Sequence, residues 1–391
     1  MLAKYILLDG HVLIHKPKVI LFVVNAAEFF LSHRLPLAVA AKAAGYEVHV
    51  AAAYSPHVER IRALGYQCHI VSFVRSGQGP FNELRTLIQL VWLFRHVKPD
   101  LVHLITIKPV LYGGIAARIT GVGAVISAVS GLGTVFVANS LAARLRRWLV
   151  IRLYVAAFRQ KRLAVIFQNP DDRDTLLAAD CLRTSEVRMI RGAGVALEDY
   201  PYLPEPEGKT VVVMVARLLK DKGVLEFVDA AKILHQRGVD VQIRLIGSLD
   251  QGNPTSVTEQ DLNVWRKENV VEVLGFREDI AEQYAASNIV CLPSYREGLP
   301  KSLVEAAACG RAVVTTDVPG CRDAITPDVT GLLVPAKDAF ILANAIQKLV
   351  ENPKARKRMG LAGRLLAEEA FAIGKIVEQH MAVYRELLSD D

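Results

Sequence analysis

The chain alternates short apolar runs with amphipathic stretches, and it does so twice. KVILFVV (18–24) has no polar interruption past its first residue, which predicts a strand buried on both faces. LPLAVAAKAAG (35–45) has helical spacing and a glycine at its end. The alternation continues through YEVHVAAA (46–53), a helix near 56–64, YQCHIVSF (66–73), a helix over 81–97, and DLVHLI (100–105). A helix near 111–120, AVISAVS (124–130), a helix over 139–161, LAVIFQN (163–169) and VRMI (187–190) complete the first half. Strands separated by helices of this length predict a parallel sheet covered on both faces.

YPYLPEPEGK (200–209), rich in proline and charge, reads as a linker. The pattern then restarts with the strand TVVVMVAR (210–217) and the helix VLEFVDAAKILHQRG (224–238). VQIRLIG (241–247), VVEVLG (270–275), NIVCLP (288–293), RAVVTT (311–316) and GLLVP (331–335) are further strands, and 338–388 reads as helices alone. The expected fold class is α/β, with two Rossmann-like, doubly wound domains, 1–200 and 205–370, facing a cleft. Ligands of such sheets sit beyond the carboxyl ends of the strands.

A length of 391 residues suits two domains, and 52% hydrophobic with 22% charged residues excludes a disordered chain. The five cysteines, Cys68, Cys181, Cys291, Cys309 and Cys321, never take CxxC spacing, which speaks against zinc or disulfide-exchange chemistry and fits a reducing cytosol. Before Pro17 two apolar runs are broken by Asp9, His11, His15 and Lys16; both are shorter than a membrane span, and the segment reads as an extension outside the fold.

Charge changes the picture more. Residues 1–205 hold 24 Lys and Arg against 14 Asp and Glu, a balance of +10, while the remainder carries −3. Residues 141–162 contribute seven basic residues and no acidic one, interleaved with Leu, Trp, Val, Ile and Tyr. Two readings stay open: a packed helix with a basic outer face, or a helix lying on an anionic membrane surface. No nucleic-acid-binding motif accompanies the charge, so no nucleic acid is expected as a partner.

The most informative segment is SYREGLPKSLVEAAACGRAVVTTDVPGCRDAI (294–325). A strand ends at Pro293, a loop carries Glu297 and Gly298, and a helix follows with Pro300 in its first turn and Gly310 at its end. Free amides near Leu299, Lys301 and Ser302, at the positive end of the helix dipole, suit a diphosphate. Gly298 permits close approach of backbone to ligand. Glu297 at the cleft mouth can accept hydrogen bonds from a sugar, and Glu305 further along can reach ribose hydroxyls. Two glutamates eight apart are ordinarily solvated helix charges; the strand–loop–helix setting is what gives them a function.

This segment resembles the E-x7-E signature of the retaining family-4 glycosyltransferases, which have the two-Rossmann GT-B fold. The resemblance implies that Glu297 contacts the donor sugar and Glu305 the nucleotide ribose. It also implies that the basic pair after the first strand of the second domain, Arg217 and Lys222 in VARLLKDKGV, neutralises the donor diphosphate. Phe276 or Arg277 in GFREDI would lie beside the base. By the same analogy the first domain holds the acceptor, with contacts from Lys108, Ser130 and Gly131 (in SGLGTVF, 130–136), Asn169, and His33 and Arg34 beside Ser32. His103 would touch the donor sugar or the reacting oxygens. Taken singly, His103 also reads as a core histidine and Lys108 as a solvated lysine. One departure is NAAEFF (25–30), where many members carry paired glycines.

The likeness extends from about residue 18 onward and is greatest to bacterial PglA- and CapM-like enzymes, which extend polyprenyl-diphosphate-linked glycans. The function expected is retaining transfer of a hexose or N-acetylhexosamine from a UDP-sugar to an undecaprenyl-diphosphate-linked saccharide, by a cytoplasmic enzyme peripheral on the inner face of the membrane. Alternatives are a GDP- or ADP-sugar donor with a soluble acceptor, or a two-Rossmann sugar-nucleotide epimerase. No metal or further cofactor is expected, since no Asp-x-Asp triad sits in a loop placed to bind one. A cleft pocket lined by Arg217, Lys222, Glu297 and Glu305 is anticipated, with a final helix near 372–388 crossing back to the first domain.

Overall fold

A computed structural model describes residues 7–8, 11–12, 16–73, 79–133, 141–250 and 252–389. A two-residue antiparallel pair, β1 (Leu7–Leu8) and β2 (His11–Val12), precedes the first domain. That domain contains seven parallel strands: β3 (Val19–Ala26), β4 (Glu47–Ala53), β5 (Gln67–Ile70), β6 (Leu101–Ile105), β7 (Ala124–Val129), β8 (Leu163–Phe167) and β9 (Val187–Met189). They lie in the order β5-β4-β3-β6-β7-β8-β9. The second domain holds β10 (Thr210–Val215), β11 (Val241–Ile246), β12 (Glu272–Gly275), β13 (Ile289–Leu292), β14 (Ala312–Thr316) and β15 (Gly331–Val334), in the order β12-β11-β10-β13-β14-β15.

In both sheets the chain starts at the centre, runs to one edge, returns, and continues on the other side. The reversal falls between β3 and β6 in the first domain and between β10 and β13 in the second. At such a reversal the helices leave on opposite faces, so a crevice opens beyond the strand ends. The uninterrupted apolar run of β3 is buried throughout; Ile20 to Val24 have no solvent exposure. Helices 27–33 and 35–43 pack on one face of this sheet, and helices 80–97, 114–120 and 141–158 on the other. Residues 139–140, expected in the last of these, lie outside the described residues, as do 134–136 of the SGLGTVF loop.

The 338–388 stretch forms helices Ala339–Val350, Pro353–Leu366 and Ile373–Leu388. The last buries Ile376, Met381, Tyr384 and Leu387 against the first domain, next to a bridge between Val195 and Ala372. The polypeptide therefore crosses between the domains twice.

Candidate active site

The site forms where β10 and β13 end, on either side of the second sheet's reversal. After β10 the chain makes a tight turn, Lys220–Lys222, and Gly223 (φ +75°) leads into helix 224–236. A Cβ on Gly223 would overlap the carbonyl of Pro293, so a glycine is needed for this turn to nest on the loop after β13. That contact brings Lys222 to Glu297: Lys222 Nζ donates to Glu297 Oε1, and Ser294 Oγ donates to the same oxygen at 2.7 Å. Both charged side chains are mostly buried, at 21% and 11% exposure. The Glu297 amide donates to Pro319 O at 3.0 Å, which anchors the loop from its other side.

Pro300 is the N-cap rather than a first-turn residue, and the helix runs Lys301–Ala308. Its first intrahelical donors are the amides of Leu303 and Val304, both to Pro300 O. The amides of Lys301 and Ser302 come before them, at the positive end of the helix dipole. Glu305, 6% exposed, accepts from Tyr200 Oη at 2.6 Å and pairs with Lys301 Nζ at 3.0 Å. Burial and the neighbouring Glu305 carboxylate raise the Tyr200 pKa, keeping the phenol a donor. Tyr200 and Ser294 were not singled out from sequence: Tyr200 lies in the linker, and Ser294 three residues before Glu297 was a readable signal.

Ser130, Gly131 and Asn169, expected to face an acceptor, meet the second domain directly. Asn169, fully buried, caps helix 170–178 and donates from Nδ2 to Gly298 O at 2.8 Å. A Cβ on Gly298 would lie 2.5 Å from Ser130 O and 2.6 Å from Gln168 Oε1, so Gly298 serves the approach of the first domain. Gly131 (φ +109°) sits against the Gly298 amide, and Leu299 against Gly192. Arg296 pairs across this seam with the fully buried Asp172, and Arg322 with Asp171 at 3.2 Å. The sequence neighbours of Glu297 thus join the domains.

Most of the other expected site residues have partners of their own. His103 is fully buried, with Nδ1 2.7 Å from Tyr384 Oη and its ring against Phe22 and His380. The last helix covers it, so the core reading replaces the sugar contact, and burial lowers its pKa well below the usual histidine value. Lys108 pairs with Glu83 at 2.7 Å instead of standing solvated. Arg34 is 2% exposed, near Tyr384, its pKa lowered to about 10 by burial, so it does not present an open acceptor contact. His33 stacks on Phe29 with Nδ1 2.7 Å from Ser32 Oγ; burial, then Arg34 and Lys301, lower its pKa to about 3. Arg217 is half exposed and paired with Asp250 at 2.7 Å, whereas Lys222 pairs with Glu297. Phe276, 69% exposed, and Arg277, paired with Asp279 at 2.8 Å, follow the edge strand β12.

One cavity lies outside the cleft. It measures about 620 Å³ and lies at the amino ends of the first sheet's strands, beside Lys18, Arg95, Lys98 and Lys161.

Residues 198–366 match the family described as glycosyl transferases group 1, and residues 19–169 that described as glycosyl transferase 4-like. An N,N'-diacetylbacillosaminyl-diphospho-undecaprenol alpha-1,3-N-acetylgalactosaminyltransferase of Campylobacter jejuni is 28% identical over 384 residues, covering 92% of this chain and 99% of that protein. The capsular polysaccharide biosynthesis glycosyltransferase CapM of Staphylococcus aureus is 28% identical over 79% of this chain and 83% of its own. Among solved structures, Anabaena HepE in complex with UDP superposes with a TM-score of 0.74 at 20% identity, over 94% of this chain and 100% of that one. The two parallel-sheet domains are those of the GT-B fold.

Proposed function

We infer that this chain, which belongs to the group 1 glycosyl transferases through its second domain and to the glycosyl transferase 4-like proteins through its first, moves a hexose or N-acetylhexosamine from a UDP-sugar to an undecaprenyl-diphosphate-linked saccharide, with retention. The observation that carries this reading is the joining of Lys222, Ser294 and Glu297 at the reversal of the second sheet, beside a helix start. A diphosphate placed there meets the Lys222 ammonium and the amides of Lys301 and Ser302. The identity of donor and acceptor draws support from relatives: the Campylobacter jejuni protein is named for an undecaprenol-diphosphate acceptor, and HepE was solved with UDP.

In this reading Lys222 exchanges Glu297 for the leaving diphosphate. Freed from the ammonium, Glu297 accepts from the donor sugar's hydroxyls, held in place by Ser294. Glu305 accepts from the ribose, exchanging the Lys301 ammonium for it while Tyr200 keeps its carboxylate oriented. The bond from the anomeric carbon to the diphosphate oxygen breaks, and the acceptor oxygen bonds to that carbon from the same face. The acceptor proton passes to the departing UDP. Arg217, swung from Asp250, adds a second cation to the developing charge. The charge role is thus met by side chains and amides, and activity is expected to persist in EDTA.

The test is a panel of nucleoside diphosphates and their sugars, read first as thermal stabilisation and then as transfer of labelled sugar to an undecaprenyl-diphosphate saccharide. Stabilisation by UDP above GDP and ADP, with transfer to the lipid acceptor, is expected. Interconversion of the donor sugar without acceptor would establish an epimerase instead, and transfer only from GDP- or ADP-sugars would overturn the donor.

A further inference from the structure

Helices 80–97, 114–120 and 141–158 form one layer over one face of the first sheet. Their inner residues, among them Leu90, Phe94, Ala117 and Tyr154, are buried. Their outer sides are unusual. On helix 80–97, Phe81 is 85% exposed, Leu84 54%, Ile88 60% and Trp92 66%. At about 100° per residue these four fall in an arc of roughly 80°, with Arg85 just beyond one border and Arg95 in line with the strip at its C-terminal end. The strip is about 16 Å long from Phe81 to Trp92 at the helical rise. Helix 141–158 repeats the arrangement, with Leu145, Trp148 and Leu149 at least half exposed beside Arg144 and Arg152. The single acidic residue in the two helices, Glu83, points away and is paired with Lys108.

We propose that this outer face docks on an anionic lipid bilayer, with Phe81, Ile88, Trp92 and Trp148 in the interface and the bordering arginines at the headgroups. A soluble monomer rarely exposes so much aligned apolar surface. Tryptophan and arginine flanking an apolar strip match the chemistry of the headgroup layer. The charge argues against a second copy of the chain: a two-fold contact would set arginines of one copy against arginines of the other, with no carboxylate on the strip to compensate. Among the described helices none is long and apolar enough to cross a membrane, and the strip lies along the helices rather than around them.

The topology orients this surface. A helix after a parallel strand begins at the carboxyl edge of the sheet, so Phe81, Leu84, Leu145 and Trp148 lie toward the seam. A bilayer held there brings headgroup-level diphosphates to the mouth of the site. The proposal rests on the reading of a lipid-linked acceptor for its purpose, but vesicles containing neither donor nor acceptor test it separately.

The experiment is cosedimentation of the full chain with phosphatidylcholine vesicles, with and without phosphatidylglycerol, alongside tryptophan emission. Of the three tryptophans, Trp92 and Trp148 are on this face and Trp265 is buried, so a blue shift reports the strip. Salt-sensitive binding to the anionic vesicles with a blue shift is expected. The variant Phe81→Ser/Ile88→Ser/Trp92→Ser should bind at least about tenfold more weakly, and Arg144→Glu/Arg152→Glu should lose the preference for anionic lipid. Both alter exposed residues, and unchanged circular dichroism and activity on a short-chain soluble acceptor confirm that the fold and site survive. No vesicle binding by the wild-type chain, or triple-variant binding equal to wild type, would overturn the proposal. A wild-type dimer abolished by the same substitutions, without vesicle binding, would reassign the face to self-association.

Discussion

Replacing Gly298 with alanine tests whether the seam belongs to catalysis. The added Cβ would lie 2.5 Å from Ser130 O and 2.6 Å from Gln168 Oε1. Carbon and oxygen normally approach to about 3.3 Å, so the deficit is about 0.8 Å. Gln168 can swing aside; the backbone at Ser130 cannot. The domains must separate there, and the 2.8 Å bond from Asn169 to Gly298 O lengthens. Overpacking of this kind costs about 1–3 kcal/mol, and a central value of about 2 lowers the closed-to-open ratio about 30-fold. Each domain keeps its own core, so the thermal midpoint and UDP binding to the second domain should stay near wild type. Initial rates with labelled donor should therefore show kcat/KM down by about 30-fold. A Gly298→Ala enzyme within about twofold of wild type would refute the claim that closure at Gly298 precedes chemistry.

Lys222→Ala removes the ammonium placed for the leaving diphosphate, and kcat is expected to fall about 100-fold or more in steady-state assays. Asp172→Asn leaves Arg296 facing a neutral amide in a largely buried pair and is expected to destabilise the chain by about 3 kcal/mol in urea unfolding, with partial recovery in Asp172→Asn/Arg296→Gln. His380 is held neutral: burial, then the Arg34 charge, lower its pKa to about 3. The unfolded chain therefore binds the extra proton, and the stability from this group, full above pH 6.5, is lost as pH falls toward 3. Between pH 7 and 5 the loss is about 2 kcal/mol, and His380→Gln should flatten that part of the slope in urea midpoints measured at both pH values.

The fold was legible because its signals are local. Apolar runs such as 18–24 and 210–217 mark buried strands, and the restart after 200–209 marks the second domain. The E-x7-E loop was legible because strand end, glycine and helix start lie within a dozen residues. What remained hidden depends on contacts between distant segments. The side of β6 that His103 takes, and its covering by Tyr384 from 281 residues away, leave no local trace. The pairing of Arg217 with Asp250 and the use of Asn169 and Gly298 to join the domains are likewise long-range. Tyr200 sat in a stretch whose prolines marked it as linker, and only the folded chain brings its hydroxyl to Glu305. On helix 141–158 the basic residues were visible, whereas the companion strip on helix 80–97 emerges only when the inner face is known.

The most direct test is the proton NMR spectrum of the linkage formed when the full chain transfers sugar from an α-linked UDP-sugar to an undecaprenyl-diphosphate saccharide in the presence of EDTA. Same-face transfer at the Lys222–Glu297 site predicts an α-linked product. A β-linked product, or transfer that appears only after a divalent metal is restored, would contradict it.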